Sequence, residues 1–354
     1  MTLGQLVVLG SDGLIHVADV GEQGHDVSLL ARPATGREVL SPVWAADGSW
    51  VAWSESDGVD GRIRVMQPDG ELVIEQRGFP AFCLDPSPDG ARLAFLSTGP
   101  LGLELAVMDI ATGATMLVAR GAPLFWAWAP SGNRLVVHVE DRVFIAELAA
   151  LEGAVVETEV RDRVARFLAP WWSPGGGEIV FVDELSRLVA QSLDGDAQAV
   201  LVEGQMGYRY AVDPTGQRVA TVVQRADTAV VEVLDRLTGD RVVAVEEAVA
   251  GLWWSPDGGR LLTMVRAADD EQPFVRWCVW NSADSESPPR SSPFQPSRVM
   301  AETVLPFFEQ FAFAHRLWSP LSDAVVSAGI LRTGRPEVFV QPSQPRKRRA
   351  SHHL

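Results

Sequence analysis

Short apolar stretches alternate with clusters of Gly, Pro, Asp and Ser along almost the whole chain. One cycle shows the pattern. Arg92–Ser97 (RLAFLS), Leu103–Asp109 (LELAVMD) and Thr115–Arg120 (TMLVAR) are apolar runs of strand length, separated by Pro-Asp-Gly and Ala-Thr-Gly. Runs this short, bounded by turn residues, predict β-strands rather than helices. Gly supplies the positive φ that a tight turn needs at little steric cost. The segment from Phe144 to Val160 is rich in Ala, Leu and Glu, a composition compatible with a short helix. Its place in the cycle argues for two strands instead.

The cycle is a true repeat. WSPDGGRLL, from Trp254, is its fullest phrase, and related phrases start at Trp44, Pro86, Trp128, Trp172, Val212 and Trp318. The position that is Pro in most of them falls at 46, 88, 130, 174, 214, 256 and 320, at intervals of 42, 42, 44, 40, 42 and 64. A strand-rich unit with a period near 40 predicts an all-β fold, a β-propeller with one four-stranded blade per repeat. The strands of a blade are labelled A, before the Pro-Asp-Gly turn, then B, C and D. Seven strand-A phrases predict seven blades. The N-terminal strands QLVVLGS, LIHVADV and VSLLA read as B, C and D without an A. The C-terminal stretch supplies A (FAFAHRLW), B (AVVSAGI) and C (PEVFV). A ring closed by strands from both chain ends is expected, because it leaves no free sheet edge; the surplus hairpin leaves eight blades as the alternative. Trp precedes the turn in five phrases (Trp44, Trp128, Trp172, Trp254, Trp318). Aromatics locked to the repeat predict filler between adjacent blades, each indole burying about 150–250 Å²; the rival reading is a stacking platform for sugars or bases.

The phrase WSPDG, followed by a strand, a C strand ending Val-x-Asp and a Thr-Gly turn, resembles the TolB-type, WD-repeat-like propeller units, which also occur in the propellers of prolyl oligopeptidase relatives. The resemblance spans nearly the whole chain and is weakest around Val212. It implies a propeller, and it implies little about activity, since such propellers serve as scaffolds, as gates to enzymes and, in a few cases, as lyases. No Gly-x-Ser-x-Gly nucleophile turn is present.

Composition narrows the function classes. Of 354 residues, 47% are hydrophobic and 21% charged, which predicts a folded rather than a disordered chain. The net charge of −16 argues against nucleic acid, whose phosphates need clustered Lys and Arg, and suits cationic or basic partners. Two cysteines in different repeats, Cys83 and Cys278, predict buried thiols rather than a disulfide framework. The apolar run near the N-terminus, Leu6–Leu9, is too short for a signal peptide or a membrane span. A cytoplasmic monomer is the resulting expectation, with export as the alternative. Residues 1–341 are expected to form one domain, with a basic tail, 342–354, beyond it. Arg346–Arg349 would give that tail only weak attachment to an anionic membrane.

The search for chemistry yields no metal or cofactor motif. The six histidines show no His-Glu-x-x-His spacing, the cysteines have no Cys-x-x-Cys partner, and Gly175–Gly177 belong to a blade turn. Asp57, Asp60 and Gly61 lack the further ligands of a calcium loop. The B–C loops carry carboxylates: Glu55, Asp57, Glu140, Asp141, Asp183, Glu184, Asp227, Asp269, Asp270 and Glu271. They form either an acidic rim or a set of ordinary solvated hairpins. The stretch LPFFEQFAFAHRLWSP, Leu305–Pro320, closes the longest interval and enters the last strand A directly after its long insertion. Phe308, Glu309, Phe311, His315 and Arg316 are candidates for a ligand-facing lip; an enlarged core for the last blade is the plainer reading. Tyr208, Arg209 and Tyr210 approach another blade in the same way. Asp85 breaks an otherwise apolar column of strand A and is placed at the channel. A binding module for a protein or small ligand follows most simply, and the alternative is a lyase or hydrolase in which His315 or His138 meets Asp85 or Glu309.

Overall fold

A computed structural model of the chain describes residues 2–10, 12–21, 24–78, 80–100, 102–148, 155–161, 163–165, 168–203, 206–225, 228–267, 274–283, 288–297, 300–301, 316–319, 321–331 and 336–342. Every described regular element of three residues or more is a strand, and the strands form seven antiparallel sheets in a seven-blade propeller arrangement. The N-terminal sheet holds β1 (Thr2–Leu9), β2 (Ile15–Gly21) and β3 (Gly24–Ala31). The Trp44 blade holds β4 (Glu38–Trp44), β5 (Val51–Ser56), β6 (Gly61–Met66) and β7 (Leu72–Arg77). The Pro86 blade runs from β8 (Phe82–Pro86) through β9 (Arg92–Gly99) and β10 (Gly102–Asp109) to β11 (Thr115–Arg120). The Trp128 blade comprises β12 (Leu124–Trp128), β13 (Arg134–Val139), β14 (Arg142–Glu147) and β15 (Val156–Arg161). The Ala-, Leu- and Glu-rich segment therefore forms strands C and D, as its position in the repeat requires.

The Trp172 blade follows with β16 (Trp171–Trp172), β17 (Glu178–Val182), β18 (Leu188–Ser192) and β19 (Gln198–Val202). The Val212 blade holds β20 (Met206–Val212), β21 (Arg218–Arg225), β22 (Thr228–Asp235) and β23 (Arg241–Val245). The last sheet has six strands: β24 (Val249–Trp254), β25 (Arg260–Arg266), β26 (Val275–Asn281), β27 (Phe294–Pro296), β28 (Ala324–Leu331) and β29 (Pro336–Pro342). Trp318 bridges to Val325 of β28. The two chain ends therefore share no sheet among the described residues. β1 packs beside β4, while β28 and β29 extend the last sheet through β27. The Pro- and Ser-rich stretch from Asn281 contains β27. Phe294 is buried against Trp277, with ring centroids 5.7 Å apart, and this anchors the short strand.

Neighbouring A strands touch, β4 with β8, β12 with β16 and β20 with β24, and form the inner ring. The tryptophans before the turn fill those seams: Trp128, Trp172, Trp254 and Trp318 are all buried. Each also donates its indole N–H backwards to a strand-A carbonyl of the preceding repeat. Trp128 Nε1 reaches Asp85 O at 3.1 Å, Trp172 reaches Ala127 O at 3.0 Å, Trp254 reaches Ala211 O at 3.0 Å, and Trp318 reaches Trp253 O at 3.0 Å. Where the phrase has Val212 instead, Tyr210 supplies the donor, and its hydroxyl reaches Ala169 O at 2.6 Å. A second bond runs forwards from the residue at or just before the start of strand B to the turn of the next repeat. Trp50 reaches Gly90 O, Arg92 reaches Gly132 O, Arg218 reaches Gly258 O and Arg260 reaches Ser322 O. Ser322 takes the positive φ (60°) that glycine holds at the other turns, such as Gly258 (69°).

Among the described residues two seams lack the backward bond, the one before the Trp44 blade and the one before the Pro86 blade, whose phrase opens on proline. Trp44 Nε1, facing the N-terminal sheet side of the ring, is buried and has no hydrogen-bond partner. This difference generates a prediction. Trp172→Ala should cost roughly 3–5 kcal/mol, since it empties a seam. Trp172→Phe retains the ring and loses the donor, leaving Ala127 O short of a partner, at about 0.5–1.5 kcal/mol. Trp44→Phe removes no hydrogen bond and should leave the urea midpoint nearly unchanged. Equal losses for the two Phe variants in urea unfolding would contradict the bonded-seam account.

Candidate functional site

The A strand of the Pro86 blade is irregular. Cys83 has φ of 55°, and the pairing of β8 with β9 shifts between Phe82 and Asp85. A bulge of this kind re-aims the side chains that follow it. Asp85 is consequently buried, 8% exposed, at the seam with the Trp128 blade, and its Oδ2 accepts the Trp126 indole N–H at 2.9 Å. Its column is otherwise Val43, Ala127, Trp171, Ala211, Trp253 and Leu317, so it introduces the one ionisable group there. Burial pushes the Asp85 carboxyl up to about 7, against the opposing pull of the Trp126 hydrogen bond and the Arg316 charge. Burial, and then the Asp85 charge, also push the Cys83 thiol up; this cysteine and Cys278 are both free and buried.

Arg316 lies two residues before Trp318 and directs Nη1 to Ala46 O, in the A–B turn of the Trp44 blade, at 3.2 Å. The side chain keeps an exposed surface. Surrounding protein nevertheless strips enough water to lower its pKa, which the Asp85 charge partly restores. The residue is therefore open to solvent on one side and walled by protein on the other. The structure thus brings together two expected site residues, Asp85 and Arg316, on the side of the ring where the A–B turns lie.

The other candidates are placed differently or not described. Phe308, Glu309, Phe311 and His315 lie outside the described residues, as does the side chain of Tyr208. Tyr210 is a seam residue, and Arg209 donates to Val249 O of the next blade at 3.3 Å. His138 is buried, with Nδ1 2.6 Å from Leu168 O and Nε2 3.2 Å from Glu140 O. Both ring nitrogens face main-chain oxygens rather than a carboxylate. Burial lowers its pKa, and the two carbonyls counter that.

Much of the acidic rim is neutralised locally. Glu55 is fully buried and accepts bonds from Trp53 Nε1 (2.9 Å), Arg62 Nε (2.9 Å) and Ala34 N (3.3 Å). Burial works against its charge, yet these donors bring its pKa below the ordinary value. Asp183 accepts from Arg187 Nε at 2.8 Å and Nη2 at 2.6 Å, and Asp57 pairs with Arg37 at 3.0 Å. Asp227 and Asp269–Glu271 lie outside the described residues. Among the described residues no cluster of three or more His, Cys, Asp or Glu could hold a metal ion, and no helix is long and apolar enough to cross a membrane. The seam hydrogen bonds were not anticipated from the sequence. Their signal was present in the Arg or Trp that opens strand B in most repeats.

No protein-family model matches the chain, and no curated protein matches its sequence. Solved structures do resemble it. The C-terminal WD40 domain of Sif2 is 10% identical, with 93% of this chain and 90% of that one covered at a TM-score of 0.58. An oligogalacturonate lyase from Vibrio parahaemolyticus is 12% identical, with 97% of each chain covered and a TM-score of 0.58. TolB from Acinetobacter baumannii is 14% identical over 82% of this chain and 81% of its own, with a TM-score of 0.47. Identities this low speak to the fold alone.

The Asp85 environment predicts a pH effect on stability. Its folded pKa lies above the unfolded value of 3.8, so the folded form holds an extra proton between about pH 4 and pH 7. The stability this confers is full below the unfolded value and is lost as pH rises through about 7, at no more than ~1.4 kcal/mol per unit. Asp85→Asn mimics the protonated carboxyl. Relative to wild type it should gain stability as pH rises from 4 to 7 and gain no more above that. A difference in chemical unfolding that stays flat with pH would show that Asp85 ionises normally.

Proposed function

We propose that the chain is a binding propeller that carries out no chemistry and presents a protein or small ligand with the channel side where Asp85 and Arg316 meet. The observation that carries this reading is the state of Arg316. One of the guanidinium's five N–H donors is directed at Ala46 O, and the side chain keeps an exposed surface beside a buried carboxyl. A cation held in place by the frame, with donors left over among the described residues, is suited to recognition. The surrounding ring supports the role, because hydrogen bonds across most of the described seams fix the frame before a ligand arrives, which lowers the ordering cost of binding.

The lyase alternative is not favoured. It requires an acid–base histidine close to a carboxylate. His138 is turned instead toward Leu168 O and Glu140 O, and the carboxylates Glu55 and Asp183 are held by arginines. The likeness to oligogalacturonate lyases carries the fold and leaves the chemistry of this chain to its own residues.

The test is affinity capture with the full chain as bait, comparing wild type with Arg316→Ala. At least one partner that wild type retains should be lost with the variant, while near-UV circular dichroism stays unchanged. Identical recovery of every partner would discard the channel reading.

A further inference from the structure

The buried carboxylates of this protein differ in how they are held. Glu55 and Asp183 each touch an arginine and accept main-chain N–H groups as well. Glu232 accepts from Arg225 Nε at 2.7 Å. Asp213 has no cation, but it accepts the Gln217 and Arg218 main-chain N–H groups and the Thr215 hydroxyl. Asp85 has one side-chain donor, the Trp126 indole, and Arg316 acts on it without reaching ion-pair distance. Among the described residues, the titratable or charged groups facing it are Cys83 on its own strand and Arg316 from the last strand-A segment. A neutral, protonated Asp85 satisfies such a site with one donor, whereas an ionised Asp85 draws on the Arg316 charge. Arg316, for its part, has no ion-pair partner among the described residues.

We propose that Arg316 anchors a carboxylate-bearing ligand at the A–B turn side of the channel, and that the protonation state of Asp85 sets how tightly that ligand is held. The inference rests on the channel reading above and adds the ligand class and its control. A guanidinium offers parallel N–H donors that match a carboxylate. When Asp85 carries its proton, the Arg316 charge is uncompensated and available to the ligand. When Asp85 is ionised, its charge offsets that of Arg316 and repels a second carboxylate. The burial of Asp85 agrees, since it favours protonation up to about pH 7 against the opposing pull of the Trp126 hydrogen bond. The carboxylate could belong to a free small acid or to the C-terminus of a peptide, and the probes below separate these sources.

The experiment is calorimetric titration of the full chain at pH 6 and pH 8 with acetate, and with N-acetylated trialanine bearing either a free or an amidated C-terminus. All these carboxylates are ionised at both pH values. Wild type should bind at least one carboxylate probe, about tenfold more weakly at pH 8, which is the ratio of protonated fractions one unit either side of a midpoint near 7. Amidation should abolish peptide binding. Preference for the free-acid peptide over acetate marks a C-terminus as the source, and the reverse marks a small acid. Asp85→Asn should bind equally at both pH values, at about the pH 6 strength of wild type. Arg316→Gln should not bind at either pH, and Arg316→Lys should bind more weakly with the pH effect retained. Binding by Arg316→Gln at wild-type strength, or an unchanged pH effect in Asp85→Asn, overturns the proposal. No binding of any probe by wild type, with partner capture still dependent on Arg316, overturns this inference and leaves the channel reading standing. Loss of both overturns the two together.

Discussion

The structure depends on a hydrogen bond from an indole N–H to a main-chain carbonyl one repeat earlier. Strand A is the first strand of each four-stranded blade, so its outer row of carbonyls has no partner within its own sheet. A seam filled with alkyl groups would bury those carbonyls unpaired. Tryptophan solves both problems, since it provides a large apolar surface and one donor at its rim. Trp128, Trp172, Trp254 and Trp318 each do this with the same offset, reaching the residue just before the neighbour's own phrase.

Departures from the repeat are compensated where they occur. Val212 cannot donate, and Tyr210, two residues earlier on the same strand, does so. Glu178 stands where other repeats have Arg or Trp. Arg236 from the next blade takes over, bonding both oxygens of Glu178, at 2.8 and 2.9 Å, and Gly216 O. Arg134 has its guanidinium 5.0 Å from the Trp172 ring centroid, so charge and aromatic face meet across that seam. In each case the residue identity changes while the link between adjacent blades is kept.

The ring is least regular around the Trp44 and Pro86 blades. The Trp44 indole has no acceptor, and Pro86 brings no donor at all. Asp85 and the Ala46 carbonyl that holds Arg316 belong to these same two blades. Sites where a sequence breaks its own rules are where function is expected to concentrate, because elsewhere the local and global demands agree. A buried acid in an apolar column and an arginine with donors left over are two such breaks, and the fold brings them close enough for their charges to interact.

The fold was legible in the sequence because each repeat carries its own punctuation. Turn residues at a fixed period, strand-length apolar runs between them and an indole before each turn are all local features, and strands of this length form wherever they recur. The candidate site was legible only in part. Asp85 was visible as a carboxylate in an apolar column, and Arg316 as a charge at the entry to the last A strand. Their proximity was not visible, since they are separated by most of the chain, and the closing of the ring determines which side chains face one another. The same limit hid the role of Tyr210, whose hydroxyl donates to Ala169 O, and of His138, whose ring nitrogens face Leu168 O of a neighbouring loop and Glu140 O of its own B–C turn. Period and composition settle what each blade is made of; distances across the seams and the channel exist only once the blades are assembled.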